Sequence, residues 1–159
     1  MTLTDAERVL LAEARRAVLA TIARDGRPRL VPIAYAVAPW PGQSEKPILY
    51  SALDEKPKSV DDPKKLARVR DITARNDVTV LVDRWDEDWT LLAWLRLDGT
   101  ATLLEPTAGG TETGRHRDAV RLLRDRYPQY ADQRLEDRPV IRIEIARAVS
   151  WGLEREVSA

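Results

Sequence analysis

The sequence predicts an α+β domain in which six or seven antiparallel strands, accompanied by about three helices, close into a small barrel. Two observations carry this expectation. The elements run helix, three strands, helix, three strands, helix, strand, without a repeat and without the strict β-α-β alternation of a doubly wound sheet. The connections between strands are short, so closure into a barrel would remove most of the sheet edges. At 159 residues the chain fits one domain, spanning 1–159, with a core large enough to need no covalent staple.

Each element has its own signal. Thr4 and Glu7 have the spacing of a capping box, and Leu3, Ala6, Leu10, Ala14 and Ala17 recur at helical intervals, so a helix is expected from about Asp5 to Arg16. Ala17 to Arg24 is apolar and β-branched, Asp25-Gly26 is a turn signal, and Arg29 to Ala38 is a second extended run, which together predict a β-hairpin. Pro32 cannot donate to a ladder, so its strand belongs at an edge or a bulge, where a ligand could approach. After a Pro- and Gly-rich loop from Pro39 to Pro47, a third strand covers Ile48 to Leu53. Asp62 as N-cap and Pro63 at the first helical position start a helix with Leu66, Val69 and Ile72 inward, stopping near Asn76.

Val78 to Asp83, Thr90 to Arg96 and Thr100 to Leu104 read as a meander, with an acidic turn at Asp86 to Asp88 and a break at Gly99. A helix from about Glu112 to Arg126 buries Ala119, Val120, Leu123 and Tyr127 and ends at Pro128. A last strand, Val140 to Ala146, carries Ile141, Ile143 and Ile145 on one face.

Composition excludes several functions. Lys plus Arg number 26 and Asp plus Glu number 26, so no overall field draws the chain to nucleic acid or a membrane surface. With no Cys and a single His, His116, there is no basis for a zinc ribbon, an iron-sulfur site, a cysteine nucleophile or a disulfide framework. The chemistry then falls to an organic cofactor. No signal peptide or long apolar run is recognisable, so the expected location is the cytoplasm.

Two constellations stand out. Lys56, Lys58, Lys64, Lys65, Arg68 and Arg70 lie between the end of the third strand and the second helix, where free N–H groups and the helix dipole favour an anion. They read either as a phosphate grip or as a solvated loop, and the interspersed Asp54, Glu55, Asp61 and Asp62 favour the latter. The second is W-D-E-D-W-x-x-x-x-W-x-R, with Trp85, Trp89, Trp94 and Arg96. Trp94, in mid-strand, fits core or interface packing, whereas Trp89, beside the acidic turn, is the better partner for a planar ligand. The acidic turn lacks calcium-loop spacing, and His116, in a polar helix, reads as a surface residue. No G-x-G-x-x-G or P-loop signature is present.

In order, L-A-T-I-A-R-D-G-R-P-R-L-V-P at 19–32, Y-S-A-L-D-E-K-P-K at 50–58, L-A-R-V-R-D-I at 66–72, V-L-V-D at 80–83, D-W at 88–89 and V-S-W-G at 149–152 resemble the pyridoxamine 5'-phosphate oxidase-like superfamily. The nearest group is the actinobacterial flavin and deazaflavin oxidoreductases, in particular their F420-dependent members, and the resemblance covers roughly 4–153. It implies a split β-barrel, a homodimer and two cofactor sites along the subunit interface. By position, Arg29, Leu30, Val31 and Pro32 would lie along the deazaflavin ring and its side chain, partly through backbone groups. Ser51, Lys56 and Lys58, with Arg70 beside them, would bind the tail and its phosphate, and Trp89 of the other subunit would close the site.

Val31-Pro32 stands where many relatives carry small polar residues, which removes side-chain hydrogen bonds to the ring. The arginine-rich substrate segment of a true pyridoxamine-phosphate oxidase is not recognisable. The implied activity is therefore hydride transfer between coenzyme F420 and a small organic acceptor. The alternatives are an FMN-dependent oxidase or reductase on the same fold and a non-enzymatic deazaflavin- or tetrapyrrole-binding protein. No catalytic side chain is singled out; Tyr35, Tyr50 or water are the candidate proton donors.

Overall fold

A computed structural model describes residues 1–38, 46–53 and 62–153. Seven strands form one antiparallel sheet: β1 (Ala17–Ile22), β2 (Pro28–Ile33), β3 (Ala36–Val37), β4 (Ile48–Ala52), β5 (Asp77–Arg84), β6 (Ala93–Leu104) and β7 (Val140–Trp151). Their spatial order is β2-β1-β5-β6-β7-β4-β3, and the sheet curls into a half-barrel. Three helices accompany it, α1 (Asp5–Glu13), α2 (Ala67–Ala74) and α3 (Gly110–Arg126).

The inner face of the sheet holds the main core. Leu19, Leu49, Val80, Val82, Leu95, Leu97, Ile141, Ile143 and Ile145 pack there with Leu10 and Leu11 of α1 and Val69 and Ile72 of α2. A second cluster lies on the opposite face, where Ala119, Val120, Leu123 and Tyr127 of α3 cover Tyr50 and Ala52 of β4 and Val140 of β7. The period-2 alternation of β4 thus serves both cores, Leu49 for one and Tyr50 for the other.

The α1 capping box forms as expected, with Glu7 N–H donating to Thr4 Oγ1 (3.2 Å) and Thr4 N–H to Glu7 Oε2 (2.9 Å). The helix stops at Glu13, short of Arg16, and its inner side differs from the predicted stripe: Ala6 is exposed, while Leu11 and Glu7 are buried. Glu7 tolerates burial because Ser150 Oγ donates to its second oxygen at 2.7 Å.

The hairpin is in register, Thr21 opposite Arg29 and Ala17 opposite Ile33, and Gly26 takes φ +85° at the turn. Its second strand is shorter than predicted, because the chain bends at Ala34-Tyr35 and crosses to the far edge of the sheet as β3. β2 is an edge strand, where Pro32 lacks no partner.

Asp62 caps a 3-10 turn, Pro63–Lys65, rather than α2: Lys64 N–H donates to its side chain at 3.0 Å, and α2 begins only after an extended Leu66. The predicted inner residues Leu66, Val69 and Ile72 are all buried.

The two strands expected on either side of Gly99 are one continuous β6. Asp98 pairs with Arg147 and Gly99 with Ile145, so Ala146 is an extra residue bulging from β7. The bulge shifts parity: Ile141, Ile143 and Ile145 face inward before it, and Ala148 and Ser150 after it. The alternation that fails at Ala146 is why β7 reads as ending there.

Candidate functional site

β2 and the residues around it form the candidate site. Its side chains alternate, so Arg29, Val31 and Ile33 share the inner face with their cross-strand partners Thr21, Leu19 and Ala17, while Leu30 and Pro32 point outward. The four predicted residues 29–32 therefore present two faces to any ligand. Val31 packs against the main core and Leu30 is 66% exposed. Leu30, Pro32, Val18, Ala20 and Leu81 make an apolar outer surface where β2, β1 and β5 meet in register.

At the inner end of β2, Arg29 Nε donates to Asp71 Oδ2 at 2.7 Å, and Thr21 Oγ1 donates to the same oxygen at 2.8 Å. Asp71, on α2, is buried, and Arg29 is partly exposed at the barrel mouth. Arg70, the neighbour of Asp71, is exposed. Neither Asp71 nor Thr21 belongs to the predicted site, because an acid beside a run of mixed charge gives no signal of its partner 42 residues away.

Ser51 lies elsewhere. It is buried on the inner face of β4, and its hydroxyl donates to Ala34 O at 2.9 Å, tying β4 to the bend after β2. Lys56 and Lys58 fall outside the described residues. In the described part of the basic run, Lys64 pairs with Glu105 at 3.1 Å.

Trp89 opens a short 3-10 turn, Trp89–Leu91, and is 69% exposed. Asp88 caps that turn through Thr90 N–H (3.0 Å) and Thr90 Oγ1 (2.7 Å), and these bonds, led by the hydroxyl, hold its carboxyl below the usual range. Trp85 is exposed beside it, and half-buried Trp94 pairs across the sheet with Trp151 of the V-S-W-G motif.

Within one chain Trp89 and Arg29 lie at opposite ends of the sheet. Arg29 is level with Thr21 and hence Val78, whereas the tryptophans start from Asp83, which pairs with Trp94. The five steps along β5 from Val78 to Asp83 span roughly 17 Å at about 3.3 Å each.

The candidate proton donor Tyr35 is withdrawn from the surface. It is fully buried, its hydroxyl donates to Leu11 O at 2.6 Å, and burial pushes its pKa up to about 12.

His116 is not the surface residue its polar surroundings imply. It is buried on α3 with Nε2 at 2.6 Å from Arg138 O, which can only accept, so Nε2 carries the proton. Its spacing to Ala119, Val120, Leu123 and Tyr127 is helical, and that periodicity was the available signal. Among the described residues no group of three or more His, Cys, Asp or Glu is placed to hold a metal. Nor is any helix among them long and apolar enough to cross a membrane.

A curled sheet of seven antiparallel strands with an open edge and three helices is a split β-barrel. The chain belongs to the pyridoxamine 5'-phosphate oxidase family, whose sequence model matches residues 3–152. Membership places it among relatives of flavin-type oxidoreductases. No curated protein matched the sequence.

Among solved structures, a conserved hypothetical protein of Mycobacterium tuberculosis is similar with TM-score 0.67 and 21% identity, over 97% of this chain and 88% of that one. A FAD-binding protein of Mesorhizobium loti gives 0.61 and 22%, over 94% and 95%. An F420 reductase gives 0.59 and 21%, over 92% and 98%. At these identities the likeness is one of fold.

Proposed function

We propose that the protein is an F420-dependent oxidoreductase that acts as a homodimer and transfers a hydride between the deazaflavin and a small organic acceptor. The observation that carries this reading is the β2 edge. It offers unpaired backbone groups, an apolar outer surface at Leu30 and Pro32, and a cation, Arg29, held at one end. A planar ring with a polar rim and an anionic tail suits that combination. The ordered motifs favour the deazaflavin over FMN, and the similarity in fold to an F420 reductase and to a FAD-binding protein supports a flavin-type cofactor.

When bound, the deazaflavin supplies the hydride chemistry, and the chain binds, orients and excludes water. Arg29 and the β2 backbone would hold the ring and its side chain. Lys56, Lys58 and Arg70 would hold the phosphodiester tail, whereas the Ser51 hydroxyl is buried and already committed to Ala34 O. Trp89 of a second copy would close the site, a role supported by its distance from Arg29 within one chain.

Titration of the purified protein with F420 and with FMN, followed by absorbance and fluorescence, tests the reading. Tighter binding of F420 is expected, and preference for FMN or binding of neither would overturn it. Lys58→Ala is expected to weaken F420 binding about tenfold, with a smaller loss at high salt, because charge-assisted contacts to phosphate are screened. A second reading, a non-enzymatic carrier, is favoured by the withdrawal of the Tyr35 hydroxyl. Oxidation of reduced cofactor by any acceptor decides between the two.

A further inference from the structure

We infer that Asp71 is a positioning residue that aims the Arg29 guanidinium at an anionic oxygen of the bound cofactor; this deepens the reading above and rests on it. Arg29 follows closely on the exposed hairpin turn at Gly26, where a long side chain would ordinarily sample many rotamers. Here its Nε is fixed on Asp71 Oδ2, and the same oxygen is fixed by Thr21, the cross-strand neighbour of Arg29.

The three groups sit on three different elements, β1, β2 and α2. Asp71 is 7% exposed, and its buried carboxyl oxygen is satisfied by the guanidinium and the hydroxyl together. A guanidinium that donates through Nε keeps both Nη groups for another acceptor. Among the described residues none takes them up, and 43% of the Arg29 side chain is exposed. The outcome is a preoriented fork with its plane set by a buried acid, which suits bidentate binding of an oxyanion or a ring carbonyl carrying negative charge. The exposed Arg70 next to Asp71 adds positive charge on the same helix.

A double-mutant cycle tests the inference in the full chain, using Asp71→Asn, Arg29→Ala and the pair. Asp71→Asn keeps an acceptor for Thr21 and removes the charge that orients Arg29. Four probes separate the sources of the anionic oxygen: FMN and riboflavin, F420 and its tailless chromophore. Each single variant is expected to bind the favoured cofactor about tenfold more weakly than wild type. The pair is expected to bind no worse than Arg29→Ala alone, since Asp71 acts through Arg29. A loss confined to FMN and F420 assigns the fork to phosphate, and a loss shared by all four assigns it to the ring.

Thermal unfolding of the same variants reports any effect on the fold separately. If wild type prefers F420 and Asp71→Asn binds it equally well, the positioning role is wrong while the cofactor reading stands. The same follows if the losses in the pair simply add. If wild type binds none of the four probes, the cofactor reading fails and this inference with it.

Discussion

Tyr127 and Tyr35 together fix the bend that redirects the chain from β2 to β3. The Tyr127 hydroxyl accepts from Tyr35 N–H (3.0 Å), and its proton is shared between the carbonyls of Tyr35 (2.8 Å) and Arg15 (3.1 Å). Arg126 and Arg15 stack against the same rings, 4.9 Å from the Tyr35 centroid and 4.8 Å from that of Tyr127. These contacts pin the end of the candidate cofactor strand to α1 and α3.

The Tyr35 hydroxyl gives this staple a pH signature. Burial raises its pKa from 10.0 to about 12, with the Arg126 guanidinium opposing and Tyr127 reinforcing the shift. A raised folded-state pKa means the associated stability is complete below 10.0 and is lost as pH climbs toward about 12, where the unfolded chain already carries tyrosinate. Urea unfolding across that range is expected to show a steeper alkaline loss for wild type than for Tyr35→Phe. Equal slopes would mean the hydroxyl is not held as described.

At the scale of elements, the β6–β7 ladder depends on Gly99. A Cβ there would collide with the backbone carbonyl of Glu144, which no side-chain rotation relieves. Gly99→Ala is therefore expected to destabilise by about 1–3 kcal/mol, in the range of overpacked interiors, as read from the denaturation midpoint. Gly26→Ala is strained through its positive φ, yet it meets open space. The local rule that Gly breaks a strand misread Gly99, because it marks a close approach of two backbones, a fact of pairing between β6 and a strand over forty residues later.

At the scale of the whole molecule, the sheet leaves apolar surface uncovered. Trp85, Trp89 and Trp151 are exposed at one end, and Leu30 and Leu81 on the outer face. α3 covers the opposite part of that face over β4, whereas α1 and α2 pack on the inner face, against β5 and β1. Exposed apolar surface of this kind supports the proposed homodimer. Light scattering at micromolar concentration is expected to give the mass of a dimer, and a monomer would remove the proposed origin of Trp89 in the site.

The order and type of nearly every element followed from the chain itself, because capping, turn chemistry and apolar period act within a few residues. The Thr4–Glu7 box, the Asp25-Gly26 turn and the buried sides of α2 and α3 are of this kind. The ordered motifs also pointed to the family. Tertiary structure decided what depends on residues far apart: that β6 is continuous, that β7 bulges at Ala146, that His116 is a core residue bonded to Arg138. It decided the candidate site in the same way. Arg29 is legible as a cation on a strand, but its orientation comes from Asp71, whose side chain meets it only because α2 packs across β1. Local pattern fixes which face of an element is apolar, and packing fixes which polar groups are left to meet.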